Sequence, residues 1–327
     1  MTTKHPSCRA IELDLVATAT GEAEPPSAER VHRHIDTCPS CREELDRYRA
    51  VDHATRRLRT GAPADAMAKS LAVLESRLAD VKQRRVAYRI FPSPLGHILL
   101  ARSEHGVALV EYLGAGTSLK ASRLARMEDL EAVPGGSELE RLQRELLDYI
   151  GGRRRELAWS LDWRLASGDF ARAVLHETAA IPYGAVASYA GVARRIGRPS
   201  AVRAVAQALR WNPLPIVVPC HRVIGTSGQL TGYAGNKLGL KQRLLTTEGV
   251  KLRPGRQDTS VAREAMYALG EGEVEYCLPT CGSMGTRSLA LLTLFASRAD
   301  AEARGLRPCT SCRPDLHPLA LASAVGA

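Results

Sequence analysis

Between Val86 and Val110 the apolar residues fall in short runs separated by glycine and proline. Tyr88-Arg89-Ile90 leads into a Ser93-Pro94-Leu95-Gly96 turn, and Ile98-Leu99-Leu100-Ala101 and Val107-Ala108-Leu109-Val110 follow. Runs of this length, bounded by turn residues, predict hairpin strands. The period then lengthens. Leu139 to Ile150 reads as an amphipathic helix stopped by Gly151-Gly152, and from Asp169 onward the pattern is mostly helical. Ser200 to Trp211, bounded by Pro199 and Asn212-Pro213, sets Val202, Val205, Ala206 and Leu209 on one helical face and Arg203, Gln207 and Arg210 on another. One face is expected to pack and the other to offer cations, with Arg194, Arg195 and Arg198 just upstream. Glu43 to Arg85 is rich in Arg, Ala, Leu and Glu and interrupted by Gly61 and Pro63, which predicts two linking helices.

Composition narrows the class. At ~150 residues per domain, 327 residues predict about two domains with room for small additions. A chain 45% hydrophobic and 24% charged excludes bulk disorder and collagen-like or coiled-coil architecture. The longest apolar stretch, Ser288 to Ala296, is far below the ~18 residues of a membrane span, so no membrane partner is expected. The start, Met1-Thr2-Thr3-Lys4-His5-Pro6, lacks an apolar export segment; a cytoplasmic location without disulfides is expected. Lys and Arg number 45 against 35 Asp and Glu, a net +10 that favours polyanionic partners. The eight cysteines form three groups: Cys8, Cys38 and Cys41; the solitary Cys220; and Cys277, Cys281, Cys309 and Cys312. Close pairs in a reducing compartment point to metal.

Cys220 differs from the rest. Ile216-Val217-Val218 ends at Pro219 and delivers Cys220-His221-Arg222 to the edge of the packed region. An imidazole that takes the thiol proton, directly or through water, makes the nucleophilic thiolate. Adjacency alone also describes a buried, inert cysteine.

The surrounding residues extend the pattern. Pro219-Cys220-His221-Arg222-Val223 resembles the active-site signature of the O6-alkylguanine-DNA alkyltransferases, also called methylated-DNA-protein-cysteine methyltransferases. Ile181-Pro182-Tyr183-Gly184, Ser188-Tyr189, Arg203-Ala204-Val205 and Asn212-Pro213 precede it in the family's order; Gly232-Tyr233-Ala234-Gly235, Leu244-Leu245 and Glu248-Gly249 follow. The resemblance covers about half the chain, Val86 to Leu252. It implies that Cys220 accepts the alkyl group from guanine O6, that His221 takes the thiol proton through a water, and that Glu248 orients His221. It further implies that Tyr189 donates a proton toward guanine N3 and that Asn212 belongs to the catalytic group. Ser200 to Trp211 would be a recognition helix in the minor groove, with Arg203 replacing the flipped base and Ser200, Arg210 and Ala234 beside the DNA. The thioether product does not turn over, so the protein is a stoichiometric reagent needing no methyl-donor cofactor. Two departures touch the lip of the base pocket: the stretch from Tyr233 to Glu248 is one residue longer, with Asn236 where glycine is common, and Ala234 lacks a hydroxyl.

The remaining cysteines suggest two zinc modules. Cys277-x3-Cys281 with Cys309-x2-Cys312 suits tetrahedral zinc, and its flanks resemble the metal-binding domain of the adaptive-response protein Ada. The resemblance implies methyl transfer from a DNA methylphosphotriester to Cys277. Four thiolates on Zn2+ carry a formal charge of about −2, and methylating one removes a unit of repulsion against phosphate. A purely structural zinc site is the alternative. Cys8 with His34-x3-Cys38-x2-Cys41 resembles the zinc-binding fold of anti-sigma factors, which implies a sigma factor as partner; His34 rather than His32 has the matching offset. So short a module buries little core, so metal would supply folding free energy.

The expectation is therefore an α+β protein: a 1–50 anti-sigma-like zinc finger, a 51–85 helical linker, an RNase H-like subdomain over 86–165, a winged-helix-like catalytic DNA-binding domain over 166–252, and an Ada-like zinc domain over 253–327. Its expected activity is suicidal repair of alkylated guanine in double-stranded DNA, with one or two structural zinc ions. The alternative is a zinc-dependent, alkylation-sensing regulator that binds lesions and a sigma factor. A cysteine hydrolase is excluded, because a thioether does not hydrolyse.

Overall fold

The computed structural model describes residues 6–59, 64–235, 237–255 and 258–319; Met1 to His5, Gly61, Pro63 and Asn236 lie outside them. The chain divides into two compact units, Met1–Ala79 and Asp80–Ala327. In the first, α1 (Pro6–Ala10), α2 (Glu12–Thr20), α3 (Pro25–Thr37) and α4 (Pro39–Arg59) surround a small core of Leu15, Val31, Cys41 and Leu45. Prolines at the first turn start α3, and Gly21, with φ of 78°, ends α2 in the left-handed conformation that glycine adopts without strain. Helix α4 passes through residue 50 without a break, and α5 (Ala64–Arg84) follows it.

The second unit opens with the strands read from the sequence: β1 (Arg85–Phe91), β2 (His97–Ser103) and β3 (Gly106–Gly114), antiparallel in that order, with β4 (Glu131–Pro134) added parallel to β1. Period-two alternation sends Ile98, Leu100 and Val110 to one face and Leu99, Ala101 and Leu109 to the other. Helix α6 (Ser137–Ile150) presents Leu139, Leu142, Leu146 and Tyr149 to the first of these cores, and the Gly151 N–H closes it on the Leu147 carbonyl.

The helical half follows with α7 (Gly168–Ala179), β5 (Ala185–Ser188), α8 (Tyr189–Arg195), α9 (Val202–Arg210), β6 (Val223–Ile224) and α10 (Leu238–Thr247). Helix α9 is shorter than the Ser200 to Trp211 pattern; Ser200 stands exposed in the preceding turn. Val205 and Leu209 are buried as expected, but Ala206 is exposed, because the surface it faces is a cavity wall and not the core.

Past α10 come β7 (Leu252–Pro254), β8 (Thr259–Val261), β9 (Tyr267–Gly270), β10 (Glu275–Cys277), β11 (Leu292–Phe295), α11 (Arg298–Glu302) and β12 (Arg307–Pro308). The expected flanking module flanks only in sequence. Its strands join β5 and β6 in a six-stranded sheet ordered β12-β10-β9-β11-β5-β6, with Leu294 opposite Val186. Val186, Ile224, Leu245 and Val250 share one apolar cluster with Met266, Met284, Leu292 and Leu294. No helix among the described residues is long and apolar enough to cross a membrane. Leu294 is 1% exposed at the centre of this seam, so Leu294→Ala is expected to lower the stability of the full chain by about 2–5 kcal/mol. Urea unfolding checks this, and an unchanged midpoint would mean that the seam is not packed as described.

Candidate functional site

The seat of Cys220 is a tight run of turns. Asn212 Oδ1 accepts from Leu214 N at 2.9 Å, while its Nδ2 donates to Val218 O at 2.9 Å and Cys220 Sγ at 3.2 Å. Ile216 holds φ of 75°, a left-handed conformation that costs a β-branched residue about 1–3 kcal/mol and that the Asn212 bonds enforce. Proline fixes the next step: Pro219, with φ −79° and ψ 62°, makes an inverse γ-turn in which Cys220 N donates to Val218 O at 2.8 Å. A 3-10 turn over Cys220–Arg222 then runs into β6. The apolar run Ile216-Val217-Val218 is thus a turn and not a strand.

Behind the cysteine lies a buried polar network. His221 Nε2 stands 2.6 Å from Glu248 Oε1, and Arg222 Nε donates to Glu248 Oε2 at 2.8 Å. The Tyr149 hydroxyl donates to Oε1 at 2.7 Å, and Gly184 N donates to Oε2 at 3.3 Å. Burial would raise the Glu248 carboxyl, but its interactions and hydrogen bonds with His221 and Arg222 overcome it and hold the group at about 2. Burial lowers His221, which favours neutral imidazole. With Nε2–H given to the carboxylate, His221 Nδ1 carries the lone pair; it is buried and has no partner among the described residues. Burial also raises the Cys220 thiol, against the Asn212 hydrogen bond and the Lys241 charge, so the resting group is a thiol.

A cavity of about 770 Å³ opens at Cys220. Tyr189, Arg203, Arg210 and Ala234 line it, with Ala206 and Gln207 on the α9 wall and Thr231 to Gly235 also in the lining. Ala234 itself holds φ of 41°. A second cavity of about 260 Å³, containing Tyr112, Trp211, Pro215 and Lys237, also reaches Cys220, past Ala234 and Gly235. Burial raises the Tyr189 phenol and keeps it a donor. Arg194 and Arg195 are ion-paired with Glu271 and Glu177, whereas Arg203 and Arg210 have no acidic partner among the described residues. Ser200 does not line the cavity, and Cys277 belongs to a separate cluster.

Sequence reasoning missed three groups. Arg222 sat inside the quoted motif without a role, and Tyr149 lay within the Leu139 to Ile150 helix without being singled out. Lys241 is fully buried, donating to Val223 O at 2.6 Å and Thr231 O at 3.0 Å, and burial lowers its ammonium to about 8. A lysine in register with Leu244, Leu245 and Glu248 on one helix face was the available signal.

Both cysteine clusters are fit for metal. Within each quartet, Cys8, His34, Cys38 and Cys41, or Cys277, Cys281, Cys309 and Cys312, the ligand atoms lie within 4.8 Å of one another. Cys8 Sγ is 3.9 Å from Cys38 Sγ and 3.7 Å from His34 Nε2, close to the ~3.5–3.8 Å edges of a tetrahedron with ~2.0–2.3 Å zinc bonds. Cys277 is 3% exposed, and Cys312 is the most open of its four.

The Glu248 network generates a prediction. A carboxyl held at about 2 against an ordinary 4.5 contributes stability that is full above 4.5 and is lost as pH falls through 2. Glu248→Gln leaves the Arg222 charge buried without its partner, so a loss of about 3–5 kcal/mol is expected at neutral pH, together with a flatter acid-unfolding curve. Circular dichroism across the acid range checks both, and wild-type stability of the variant would overturn the assignment.

Residues 169–250 match the family profile described as 6-O-methylguanine DNA methyltransferase, DNA binding domain, and residues 256–315 match the metal-binding domain of Ada. A methylated-DNA–protein-cysteine methyltransferase of Methanosarcina acetivorans is 38% identical over 164 residues, half of this chain and 97% of that protein. A constitutive one of Bacillus subtilis is 34% identical over 166 residues, 51% of this chain and 97% of that protein. The crystal structure of the Mycobacterium tuberculosis O6-methylguanine methyltransferase aligns with a TM-score of 0.43 at 37% identity, covering 50% of this chain and 92% of that one. A sigma factor as partner of the amino-terminal module finds no support in these matches. With 38% identity spread over nearly the whole of such a relative, the chain belongs to the methylated-DNA–protein-cysteine methyltransferase family, and residues 256–315 add a metal-binding domain of the Ada type.

Proposed function

We propose that the protein repairs alkylated guanine in double-stranded DNA by moving the alkyl group irreversibly from O6 to Cys220. The observation that carries this reading is the position of Cys220 in a cavity walled by Tyr189 and by the cationic helix α9, with the His221–Glu248 pair buried behind it. Helices α8 and α9 and strands β5 and β6 form the winged-helix-like DNA-binding half, and residues 86–165 form the RNase H-like half. A base inside the duplex is out of reach, so it is flipped into the cavity at a cost of a few kcal/mol, and Arg203 fills the gap it leaves. Arg210 lies seven residues on along the same helix face and meets phosphate.

The chemistry balances without a cofactor. The Cys220 thiol gives its proton through a water to His221 Nδ1, which the Glu248 contact leaves as the lone-pair nitrogen. The sulfur pair attacks the alkyl carbon, the S–C bond forms and the C–O bond breaks. Negative charge arriving on guanine is met by a proton from Tyr189 at N3; the Tyr189 phenolate then recovers a proton from water as the His221 imidazolium releases one, so the net change moves one proton from the thiol to guanine. Lys241 and the Asn212 amide stabilise the thiolate as it forms. Residues 1–50 hold one metal through Cys8, His34, Cys38 and Cys41, and residues 253–327 a second through Cys277, Cys281, Cys309 and Cys312; bound zinc supplies folding free energy and keeps the thiolates deprotonated. Transfer from a methylphosphotriester to Cys277 requires that buried sulfur to be uncovered. The lesion-sensing regulator is not favoured, because the acceptor thiol is present and faces the cavity.

Incubation with duplex O6-methylguanine DNA, followed by peptide mass spectrometry, is expected to place one methyl on the Cys220 peptide with no turnover. Cys220→Ala should abolish transfer and leave DNA affinity nearly unchanged; loss of both together would make the cysteine structural. Arg203→Ala should slow repair of duplex far more than reaction with the free alkylated base, since only the duplex must be unstacked. Methylphosphotriester DNA, mapped in the same way, should mark Cys277, and a methyl on Cys312 instead would reassign the acceptor.

A further inference from the structure

Strand β5 lies between the strand that leaves the active-site turn and a strand of the carboxy-terminal module. On one side Ala187 and Ser188 pair in parallel with Val223 and Ile224 of β6, directly after Cys220–Arg222. On the other side Ala185, Val186 and Ala187 pair antiparallel with Phe295, Leu294 and Thr293 of β11. The module also clips both ends of β5. Ala296 N donates to Gly184 O at 2.7 Å, and Gly184 N is the backbone donor to Glu248 Oε2. At the far end Ser188 Oγ donates to Leu289 O at 2.9 Å while accepting from Gly191 N at 3.0 Å, which caps α8 immediately before its first residue, Tyr189. Gly184 stands so close to the module that a Cβ there would lie 2.7 Å from Asp300 Oδ2.

The same sheet runs on to the metal cluster. Strand β11 pairs with β9, β9 with β10, and β10 with β12; Cys277 is the last residue of β10, and Cys309 directly follows β12. Four cysteines tied to one ion fix the ends of these short strands, which have only two to four residues each to hold their register. The two relatives described above match over 97% of their length within half of this chain, so the module is an addition to a unit that they carry without it.

We infer that the carboxy-terminal metal module is a positioning element of the alkyl-transfer site: through β11 it holds β5, and through Gly184 and Ser188 it sets Glu248 and Tyr189, so that metal binding at Cys277, Cys281, Cys309 and Cys312 is linked to reactivity at Cys220. The reactivity half of this inference rests on the repair reading. Helix α9, which carries Arg203 and Arg210, takes no part in the strand pairings that join the module to β5 and β6. Metal loss therefore acts on the rate of transfer and spares DNA affinity.

The test uses the full chain in a Cys38→Ser background, so that metal loss is read at the carboxy-terminal cluster, compared zinc-loaded and after chelation. Three quantities are measured: methyl transfer to Cys220 at saturating O6-methylguanine duplex, the Kd for that duplex, and amide exchange over residues 184–189. Chelation is expected to slow transfer by about tenfold, as misplacing one or two orienting hydrogen bonds does, to leave Kd nearly unchanged, and to speed exchange over 184–189 with β1–β3 unaffected. Readdition of zinc restores all three. Should chelation unfold the whole unit, zinc-loaded Ser188→Ala gives the second reading: transfer falls several-fold with unchanged metal content and Kd, and Ser188→Thr recovers it. Wild-type transfer and exchange in the chelated chain, or in Ser188→Ala, would overturn the inference. If the zinc-loaded protein moves no methyl to Cys220, the repair reading fails, and the exchange data alone decide whether metal holds β5.

Discussion

The carboxylate of Glu248 is the constraint on which the catalytic half depends. Burying a carboxylate costs several kcal/mol, and the cost is offset only when strong donors surround it. Here the four donors come from three places far apart in sequence: Tyr149 on α6, Gly184 before β5, and His221 and Arg222 from the active-site turn. The group therefore ties the sheet subdomain to the helical half while fixing the tautomer of the histidine next to the reactive thiol. Stability and chemistry share one ion, and no donor can be removed without leaving charge stranded.

The reactive sulfur is held at the opposite extreme of mobility from a surface cysteine. Asn212 braces a turn in which Ile216 adopts a left-handed backbone and Pro219 fixes an inverse γ-turn. This strain has a use: it aims Sγ at the cavity while its neighbours stay packed. Burial keeps the resting group a thiol, which suits a protein that reacts once, because the proton need leave only when an alkylated base is in place. Lys241, buried and hydrogen-bonded to two carbonyls, adds positive potential where the thiolate forms.

The carboxy-terminal module shows how a metal domain becomes part of another domain's architecture. An uncovered β5 would present an open sheet edge and the apolar side chains of Val186 and Ile224 to water. Strand β11 closes that edge, and Leu289, Leu292 and Leu294 cover the apolar face. The amino-terminal unit follows a different logic, since its core of Leu15, Val31, Cys41 and Leu45 is too small to be self-sufficient and its four ligand atoms converge beside it.

Local pattern by itself determined a good deal: the hairpins of β1 to β3, helix α6 with its glycine stop, the cationic face of α9, the two ligand quartets, and the run from Pro219 to Val223 whose resemblance named the chemistry. These are features of near neighbours in the chain, where period, turn residues and spacing act directly. The tertiary structure alone decided that Arg222 and Tyr149 complete the Glu248 network, that Lys241 sits buried beside Cys220, that Ala206 faces a cavity, and that strands of two to four residues from the module extend the catalytic sheet. Such strands have too few positions to show a period, and a buried charge is tolerable only where distant segments bring it partners. Both are settled by what packs against them.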